Sequence, residues 1–288
     1  MTSNQSVYGI IGYPVSHSLS PLMHNAAFQE LGVNAIYKTF PLQENELEDF
    51  IKGLKDKHSP IFGLNVTVPY KEKVLKYLDS LNPFAEKVQA VNTIVISKDR
   101  SLQGINTDGP GFLAHLTEVG FNTHKKRIAI LGAGGTARAI ISVLCLLPEH
   151  PESITIYNHH PAKAKDLISD LGKRMEVGVV KAAETISDLH LERADLFINT
   201  TPVGLKIGDP CPIDEELFHS HTLVYDVIYN PPETLLLKAA RRRGLETTNG
   251  LGMLFYQGVL AFQHWANIQL DEKIKTKMRQ SLKVGAHA

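Results

Sequence analysis

The chain has 288 residues, enough for about two domains of ordinary size. Its 30 basic and 30 acidic residues cancel and charged residues make up 21% of the sequence, so it lacks the basic field that nucleic-acid binding requires. No signal-peptide pattern and no apolar run of about 18 residues is present, which predicts a cytoplasmic protein that does not contact a membrane.

The first third of the chain alternates strand-like and helix-like segments. Short apolar and β-branched runs at 7–14, 35–42 and 61–69 predict strands, whereas 20–32 and 44–56 carry apolar residues at helical spacing. Strands separated by helices predict a mostly parallel sheet with helices on its faces.

The loop "GYPVSHSLSP" places Ser16 and Ser18 two residues apart before the first helix. In extended backbone, hydroxyls at that spacing can point at one carboxylate, and the entrance of a helix also favours anions. Ordinary turn chemistry accounts for the same serines equally well. His17, which lies between them, is predicted to be a surface residue.

The segment "GLNVTVPYKE" carries polar residues at the end of the third strand. Asn65 and Thr67 share one face of that strand, and its carboxyl end is the usual ligand edge of an open α/β sheet. Lys71 follows Pro69 at the same edge and is predicted to lie in the first turn of a helix, where the macrodipole disfavours a lysine. The alternative for Lys71 is an ordinary solvated side chain.

Residues 91–108 read as two extended runs around the polar turn "SKDRS", which predicts a hairpin that closes the first domain. Asn92 and Asp108 lie at the ends of these strand-like runs. Asp108 also suits the N-cap of the helix that follows, which is a sufficient structural reason for an aspartate.

A second alternation of strands and helices begins after the basic link "HKKR". Its first strand, "RIAIL", leads directly into "GAGGTA" and an apolar helix, the context of a dinucleotide-binding fingerprint. Gly132 permits the tight turn, Gly134 lets the backbone approach a pyrophosphate, and Ala137 allows close packing of the helix. A purely structural strand-to-helix turn is the alternative.

The end of the next strand bears on the choice between NAD and NADP. An acidic residue there would bind the ribose 2′-hydroxyl of NAD, but the chain has Asn158, His159 and His160. Lys163 and Lys165 follow, and Lys163 is placed to pair with the 2′-phosphate of NADP. NADP is therefore the predicted cofactor and NAD the less favoured one, with two solvated lysines as the alternative.

The two cysteines give no sign of a disulfide or a metal site. Cys145 lies inside an apolar run and is predicted to be a core residue, whereas Cys211 lies between prolines. Since neither a CxxC motif nor a Cys/His ligand spacing occurs, we expect no disulfide and no bound metal.

Taken together, the ordered motifs resemble those of the shikimate dehydrogenase family. The segments that carry the resemblance are "GYPVSHSLSPLMHNAAF", "GLNVTVPYKE", "AVNTI", "GINTDGPGF", "LGAGGTARAI", "NTTPVG", "YDVIYNP" and "GLGMLFYQG". The resemblance implies NADP-dependent interconversion of shikimate and 3-dehydroshikimate in the route to aromatic amino acids. The chain departs from the family at 158–160, where the family usually has Asn-Arg-Thr and an arginine for the 2′-phosphate.

The resemblance also assigns roles to individual residues. Lys71 and Asp108 would be the catalytic pair, with Lys71 exchanging the proton and Asp108 orienting the hydroxyl and holding Lys71. The substrate would be held by Ser16, Ser18, Asn65, Thr67, Asn92, Asp108, Tyr229 and Gln257. The cofactor would be held by Gly132, Ala133, Gly134, Gly135, Thr136, Asn158, His159, Lys163, Thr200, Val227, Gly250 and Met253.

The predicted architecture is α/β with two domains. An N-terminal α/β substrate domain with a mostly parallel sheet covers 1–107, and a Rossmann-type NADP-binding domain covers 108–250. The tail, 251–288, reads as two helices with no strand to follow, and the resemblance places it on the first domain. The oligomeric state is open between a monomer and a homodimer.

Other functions fit parts of the sequence. An NAD-dependent quinate/shikimate dehydrogenase would share most motifs, but the serine pair and the absence of an acid at 158–160 argue against it. A non-catalytic, nucleotide-sensing protein on the same fold would be expected to lose Lys71 or Asp108, and both are present. A dehydrogenase of folates or amino acids would share the glycine loop but not "NVTVPYKE".

Overall fold

In the computed structural model the chain is described over residues 5–206, 208–218 and 221–286. The outer ends of the predicted domains, 1–4 and 287–288, lie outside the described residues. The chain divides into two compact units: one runs up to Gly111 and takes in the chain from Leu254 onward, and the other runs from Phe112 to Met253. Each unit has its own sheet, and the α/β class is confirmed.

The first unit is built on a mixed sheet. Its strands are β1 (Ser6–Gly12), β2 (Ala35–Pro41), β3 (Ile61–Val66), β4 (Ser80–Leu81), β5 (Thr93–Ile96) and β6 (Leu102–Ile105). They lie in the order β2-β1-β3-β5-β6-β4, with β1 parallel to both β2 and β3 and with β5 antiparallel to β3 and β6. Strands β5 and β6 are the predicted hairpin, which is confirmed.

Helices cover this sheet. They are α1 (Ser20–Glu30), α2 (Leu47–Gly53), α3 (Pro83–Val88), the first residues of α4 (Asp108–Glu118), most of α8 (Leu251–Ala266) and all of α9 (Glu272–Ala286). Helix α1 packs on α9 and on β2. Because helices α8 and α9 supply part of this unit, its core combines residues from both ends of the chain.

Trp265 of α8 anchors that late segment to the sheet. Its Nε1 donates a hydrogen bond to the backbone oxygen of Ile94 at 3.0 Å. The indole lies directly over Gly63 in β3, where any Cβ would overlap the ring. A glycine in the strand interior therefore makes room for the tryptophan, which is one of the recognised uses of a strand glycine.

The segment after Pro69 differs from the prediction. Lys71 lies in a turn, and only a short 3₁₀ helix, Lys73–Tyr77, follows it, so the predicted helical placement of Lys71 and its macrodipole effect are wrong. The reason lies in two anchors. The Tyr70 ring is buried with its hydroxyl donating to the backbone oxygen of Leu42 at 2.6 Å, and Val91 N donates to Lys71 O at 2.7 Å.

The second unit is built on a parallel sheet. Its strands are β7 (Arg127–Leu131), β8 (Ser153–Tyr157), β9 (Val180–Ala182), β10 (Leu196–Asn199), β11 (Leu223–Asp226) and β12 (Thr247–Asn249). They lie in the order β12-β11-β10-β7-β8-β9, and each neighbouring pair is parallel. Counted from β7, this is the 3-2-1-4-5-6 order of dinucleotide-binding folds, which confirms the Rossmann-type prediction.

The helices of this unit are α5 (Gly135–Cys145), α6 (Pro161–Gly172) and α7 (Leu235–Arg242), with the rest of α4. The strand order reverses between β7 and β10, so the carboxyl ends of these two neighbours form the switch point at which such sheets bind ligands. Cys145 is buried in α5, as predicted, and burial raises the pKa of its thiol to about 11.

In the described part of the chain, no helix is long and apolar enough to cross a bilayer, and no group of three His, Cys, Asp or Glu side chains is placed to bind a metal ion.

Candidate active site

Lys71 and Asp108 form a short ion pair in the first unit. Lys71 Nζ lies 2.7 Å from Asp108 Oδ2, and the two side chains are 12% and 8% exposed. A charge-assisted hydrogen bond of this length in a desolvated position is stronger and better oriented than a surface ion pair. The alternative of a solvated Lys71 is therefore wrong.

The start of α4 leaves the Asp108 carboxylate available for that pair. Asn106, which the sequence analysis missed, accepts hydrogen bonds at Oδ1 from the backbone nitrogens of Asp108 (3.0 Å) and Gly109 (3.3 Å). Its Nδ2 donates to Ala90 O at 2.9 Å, which fixes the amide. Asn106 thus supplies the side-chain cap, Asp108 is the first helical residue, and its predicted N-cap role is wrong.

Asn92 connects Asp108 to a second amide. Its Nδ2 lies 2.8 Å from Asp108 Oδ1 and 3.3 Å from Gln257 Oε1, and the residue is buried. Its Oδ1 accepts a hydrogen bond from Thr107 N at 2.7 Å. Since a backbone nitrogen only donates, this bond fixes the carboxamide with its NH₂ group toward the carboxylate.

Gln257 comes from α8, late in the chain. Its Nε2 donates to Leu254 O at 2.8 Å, so Oε1 faces Asn92. Helix α8 approaches α4 closely here, because a Cβ on Gly111 would lie 2.7 Å from Gln257 N. Gly111, the second glycine of "GPGF", therefore allows Gln257 to reach the residues around Asp108.

Asn65 joins the same group from β3. Its Nδ2 donates to Asn92 O and to Thr93 Oγ1, both at 3.1 Å, and its Oδ1 accepts from the Tyr37 hydroxyl at 2.7 Å. Thr67 lies one residue beyond β3, partly exposed, and its side chain lies close to Gly12 in β1. Thr67 therefore lies at the edge of the sheet, just past the carboxyl end of β3.

The two serines lie in the loop before α1. Ser16 is exposed, and Ser18 is half-buried with its Oγ accepting from Ser20 N at 3.3 Å. His17 is exposed, as predicted. The hydroxyl of Ser16 is thus left to the solvent or to a ligand.

Three buried residues of this group escaped the sequence analysis: Tyr37, Thr93 and Thr107. Thr93 follows the candidate Asn92 in "VNT", and a hydroxyl next to a candidate amide was a usable signal. Thr107 follows Asn106 in "INT", and Asn106 was itself missed. Tyr37 gave no such signal, since an aromatic residue inside a strand is ordinary.

The glycine loop of the second unit has the geometry of an anion cradle. Gly132 follows β7 with φ +107°, and a Cβ there would lie 2.5 Å from Thr200 Oγ1. Gly134 precedes α5, and nothing lies within 4 Å of the position its Cβ would take. Ala133 lies between them, Gly135 and Thr136 open α5, and Ala137 is fully buried. The loop therefore leaves open space before a helix amino terminus, which fits a pyrophosphate.

Thr200 ties the ends of β7 and β10 together. Its backbone nitrogen and its Oγ1 both donate to Leu131 O, at 2.8 and 2.7 Å. The predicted cofactor residue Thr200 therefore lies at the switch point of the sheet, beside Gly132.

The residues after β8 form a partly basic surface. Asn158 is buried and its Nδ2 donates to His160 O at 3.1 Å. The rings of His159 and His160 are exposed, with centroids 4.1 Å apart. Lys165 pairs with Glu184 at 2.5 Å, whereas Lys163, in the first turn of α6, makes no ion pair with a described residue.

Val227, Tyr229, Gly250 and Met253 lie around the ends of β11 and β12. A Cβ on Gly250 would overlap the backbone of Val227, and Gly250 N donates to Ile228 O at 3.1 Å. Met253 is buried, whereas Val227 and Tyr229 are half-buried. The two strand ends are thus in direct backbone contact, and Gly250 is required for it.

Asp226 holds the same loop from inside. Its carboxylate accepts hydrogen bonds from Thr234 Oγ1 (2.7 Å), Asn199 Nδ2 (3.1 Å) and Ile228 N (3.1 Å). Burial nevertheless raises the pKa of Asp226 to about 6, because these neutral donors only partly replace water.

Comparison with known proteins agrees with this geometry. The family model of the shikimate dehydrogenase substrate binding domain matches residues 10–94. The shikimate dehydrogenase (NADP(+)) of Moorella thermoacetica is 42% identical over 266 residues, which are 91% of this chain and 88% of that protein.

Solved structures give the same result. The shikimate 5-dehydrogenase of Thermus thermophilus in complex with NADP(H) and shikimate is 32% identical with a TM-score of 0.84, over 98% of this chain and 100% of that one. A 5-ketofructose reductase from a Gluconobacter strain is also 32% identical with a TM-score of 0.81, over 98% and 99% of the two chains. The resemblance predicted from the motifs is confirmed: the chain belongs to the shikimate dehydrogenase family.

Proposed function

We propose that the protein catalyses the reversible reduction of 3-dehydroshikimate to shikimate with NADPH, in the route to aromatic amino acids. The observation that carries this proposal is the largely buried Lys71–Asp108 pair, whose carboxylate accepts a hydrogen bond from the Asn92 amide, in a unit whose sequence matches a shikimate dehydrogenase substrate binding domain. The Moorella and Thermus relatives support both the substrate and the cofactor.

The chemistry requires one proton for each hydride. Bound NADPH would supply the hydride to the carbonyl carbon. Lys71 donates a proton to the former carbonyl oxygen, which thereby becomes the hydroxyl of the alcohol, and in the oxidative direction Lys71 accepts that proton. Asp108 holds the ammonium group with Oδ2 and orients the substrate hydroxyl, since its own position is fixed by Asn92 and by the start of α4.

The first unit supplies the groups that bind the substrate. We assign this role to the predicted substrate domain, 1–107 with 251–288. Ser16 and Ser18 would hold the carboxylate, while Asn65, Thr67, Asn92 and Gln257 would meet the ring hydroxyls. The family resemblance also assigns a substrate contact to Tyr229, which belongs to the second unit. The exposed Ser16 hydroxyl and the amides of Asn65 and Gln257 are chemically suited to these contacts.

The predicted domain 108–250, nearly all of which falls in the second unit, would bind NADP. The open space at Gly134 and the amino terminus of α5 favour the pyrophosphate, and Lys163, with His159 beside it, is available for the 2′-phosphate. Val227, Gly250 and Met253 would line the nicotinamide pocket.

A substrate and cofactor matrix tests the proposal. Initial rates would be measured with shikimate and quinate, each with NADP⁺ and NAD⁺, together with reduction of 5-ketofructose by NADPH. We expect kcat/KM to be highest for shikimate with NADP⁺. A higher value for 5-ketofructose would refute the substrate assignment, and NADP⁺ binding without any turnover would support a nucleotide-sensing protein instead.

A second candidate is an NAD-dependent quinate/shikimate dehydrogenase. It is favoured by one observation: exposed His159 and His160 stand where the family pattern has an arginine, so the 2′-phosphate loses its usual bidentate partner. The same matrix decides between the candidates, because this one requires quinate with NAD⁺ to match or exceed shikimate with NADP⁺.

A further inference from the structure

A chain of buried hydrogen bonds runs through the first unit and ends on Asp108. Tyr37 bonds to Asn65 at 2.7 Å, Asn65 to Thr93 at 3.1 Å, Thr93 to Asn92 at 3.2 Å, and Asn92 to Asp108 at 2.8 Å. Each of these residues is at most 5% exposed. We call this set of five residues the Tyr37–Asp108 relay.

The direction of the relay is fixed at its Tyr37 end. Asn65 Nδ2 lies 3.1 Å from Asn92 O, and a backbone oxygen can only accept, so the nitrogen of the Asn65 amide must face that way. Oδ1 therefore faces the Tyr37 hydroxyl. Since Oδ1 carries no hydrogen, Tyr37 is the donor of their bond.

The direction is fixed independently at the other end. Thr107 N donates to Asn92 Oδ1 at 2.7 Å, so Asn92 Nδ2 faces Asp108 and donates to its carboxylate. The Thr93 hydroxyl lies between the two amides. It accepts from Asn65 Nδ2 and donates to Asn92 Oδ1. The Thr107 hydroxyl lies 3.3 Å from it and is itself within hydrogen-bond distance of Asn92 Nδ2 (2.9 Å) and Asn92 Oδ1 (3.2 Å).

Each member therefore donates to the next, and the last acceptor is the Asp108 carboxylate. Hydrogen bonds aligned in one direction polarise one another, and in a water-free interior each bond is worth more than in water. The carboxylate at the end takes a strengthened bond at Oδ1 and the ammonium group of Lys71 at Oδ2.

We propose that Tyr37 and Thr93 are positioning residues of the reaction, which act through the relay without touching the substrate. This inference rests on the proposed function, because it assumes that Asp108 and Asn65 meet shikimate. The relay keeps the Asp108 carboxylate in one orientation and decides which hydrogen-bonding group Asn65 offers.

The relay has a consequence for specificity. Both hydrogens of Asn65 Nδ2 are used by Asn92 O and Thr93 Oγ1, and one lone pair of Oδ1 is used by Tyr37. Asn65 can therefore only accept from a substrate. The ring substituent that faces it must be a hydrogen-bond donor, so a hydroxyl is accepted and a carbonyl, ether or fluorine is rejected.

The test is a double-mutant cycle with substitutions that keep side-chain shape. Tyr37→Phe and Thr93→Val each remove one hydroxyl of the relay, and Thr93→Ser keeps it. Thr222→Val is the matched control, because Thr222 is equally buried and donates one hydrogen bond to Ala194 O at 2.7 Å in the second unit. Both kcat/KM for shikimate and the free energy of unfolding in urea would be measured.

We expect each single variant to lower kcat/KM about tenfold and the double variant to lower it about tenfold as well. Removing either hydroxyl already interrupts the series of hydrogen bonds, so removing the second adds little to the loss. Thr93→Ser should stay within about threefold of wild type, and Thr222→Val should lower stability without lowering kcat/KM.

Losses in kcat/KM that multiply to about a hundredfold in the double variant would overturn the relay, since independent sites add in free energy. A Thr93→Ser variant as impaired as Thr93→Val would also overturn it. The free energies of unfolding of the wild type, the two single variants and the double variant form a second cycle, which needs no substrate. If the wild type fails to oxidise shikimate while the effects of Tyr37→Phe and Thr93→Val on the free energy of unfolding are non-additive, the proposed function fails and the relay stands.

Discussion

The ammonium nitrogen of Lys71 lies 2.7 Å from Oδ2 of Asp108, in a position where both side chains are nearly closed off from solvent. The other carboxylate oxygen accepts from Asn92. With both oxygens occupied, the carboxylate is held in one orientation, and in the proposed reaction it keeps the lysine where it can exchange a proton with the substrate oxygen.

Removing the amine should act on the chemical step. In Lys71→Ala we expect kcat for shikimate oxidation to fall roughly 10²- to 10⁴-fold with little change in KM, because general acid-base catalysis contributes about that much. Initial rates of NADPH formation measure it. Lys73→Ala is the control, since Lys73 lies two residues on in an exposed pair with Glu44. Equal losses in the two variants would contradict the assigned role.

Removing a serine hydroxyl should act on substrate binding. Ser16→Ala and Ser18→Ala are each expected to raise KM for shikimate roughly 10- to 150-fold, because a hydrogen bond to a carboxylate contributes roughly 1.5 to 3 kcal/mol. Ser16 is the cleaner test, since Ser18 also accepts a bond from Ser20 N within the loop. A fall in kcat at unchanged KM would argue against carboxylate anchoring.

The cofactor preference should depend on Lys163. We expect Lys163→Ala to raise KM for NADP⁺ roughly three- to tenfold and to leave KM for NAD⁺ unchanged, since only NADP⁺ has the 2′-phosphate. Lys165→Ala is the matched control on the same helix, because Lys165 is paired with Glu184. Parallel changes for both cofactors in Lys163→Ala would show that the lysine does not recognise the 2′-phosphate.

The glycine loop should not tolerate a side chain at its first position. Gly132→Ala places a Cβ 2.5 Å from Thr200 Oγ1 at φ +107°, so we expect at least about 1–2 kcal/mol of destabilisation and weaker NADPH binding. Urea unfolding and NADPH fluorescence titration measure these effects. Gly178→Ala, which meets nothing within 4 Å, is the control and should match the wild type.

Acid should destabilise the protein through His24. The ring is fully buried against Tyr37, neither ring nitrogen has a hydrogen-bond partner among the described residues, and burial lowers its pKa from 6.5 to about 3. Below pH 6.5, His24 binds a proton in the unfolded chain but stays neutral in the folded protein until the pH approaches 3. The stability from neutral His24 is thus complete above pH 6.5 and is lost as the pH falls toward 3.

The size of this loss follows from the proton balance. Between pH 6.5 and 5 it amounts to about 2 kcal/mol, at roughly 1.4 kcal/mol per pH unit. In His24→Phe, which keeps an aromatic ring beside Tyr37, the loss between pH 7 and 5 should be smaller by that amount. Identical pH dependence in the two proteins, measured by urea unfolding, would mean that His24 is protonated in the folded state.

Much of the fold could be predicted because its signals are local. The hairpin of β5 and β6 has a polar turn between two extended runs, and the glycine loop lies between an apolar strand and an apolar helix. Asn65, Asn92 and Asp108 were grouped through the family resemblance. They lie close together because Asn65 is near the end of β3, Asn92 directly precedes β5 and Asp108 begins α4.

The remainder depended on contacts between distant parts of the chain. Tyr37 reaches Asn65 only because β2 and β3 both pair with β1, and the register of that pairing is not written in either strand. A turn stands where a helix was expected after Pro69, because the Tyr70 side chain is buried in the core. Asn106 supplies the side-chain cap of α4, whereas the sequence offered Asp108, two residues later, as an equally suitable capping residue.

The position of Trp265 over Gly63 bears on the order in which the protein forms on the ribosome. The unit from Phe112 to Met253 is one continuous stretch, so all of its residues are available before Trp265 is synthesised. The packing of the first unit's sheet at Gly63 can be completed only after Trp265, which covers this glycine, has been synthesised. Although domains made during synthesis usually fold in the order of the chain, here the amino-terminal unit is completed last.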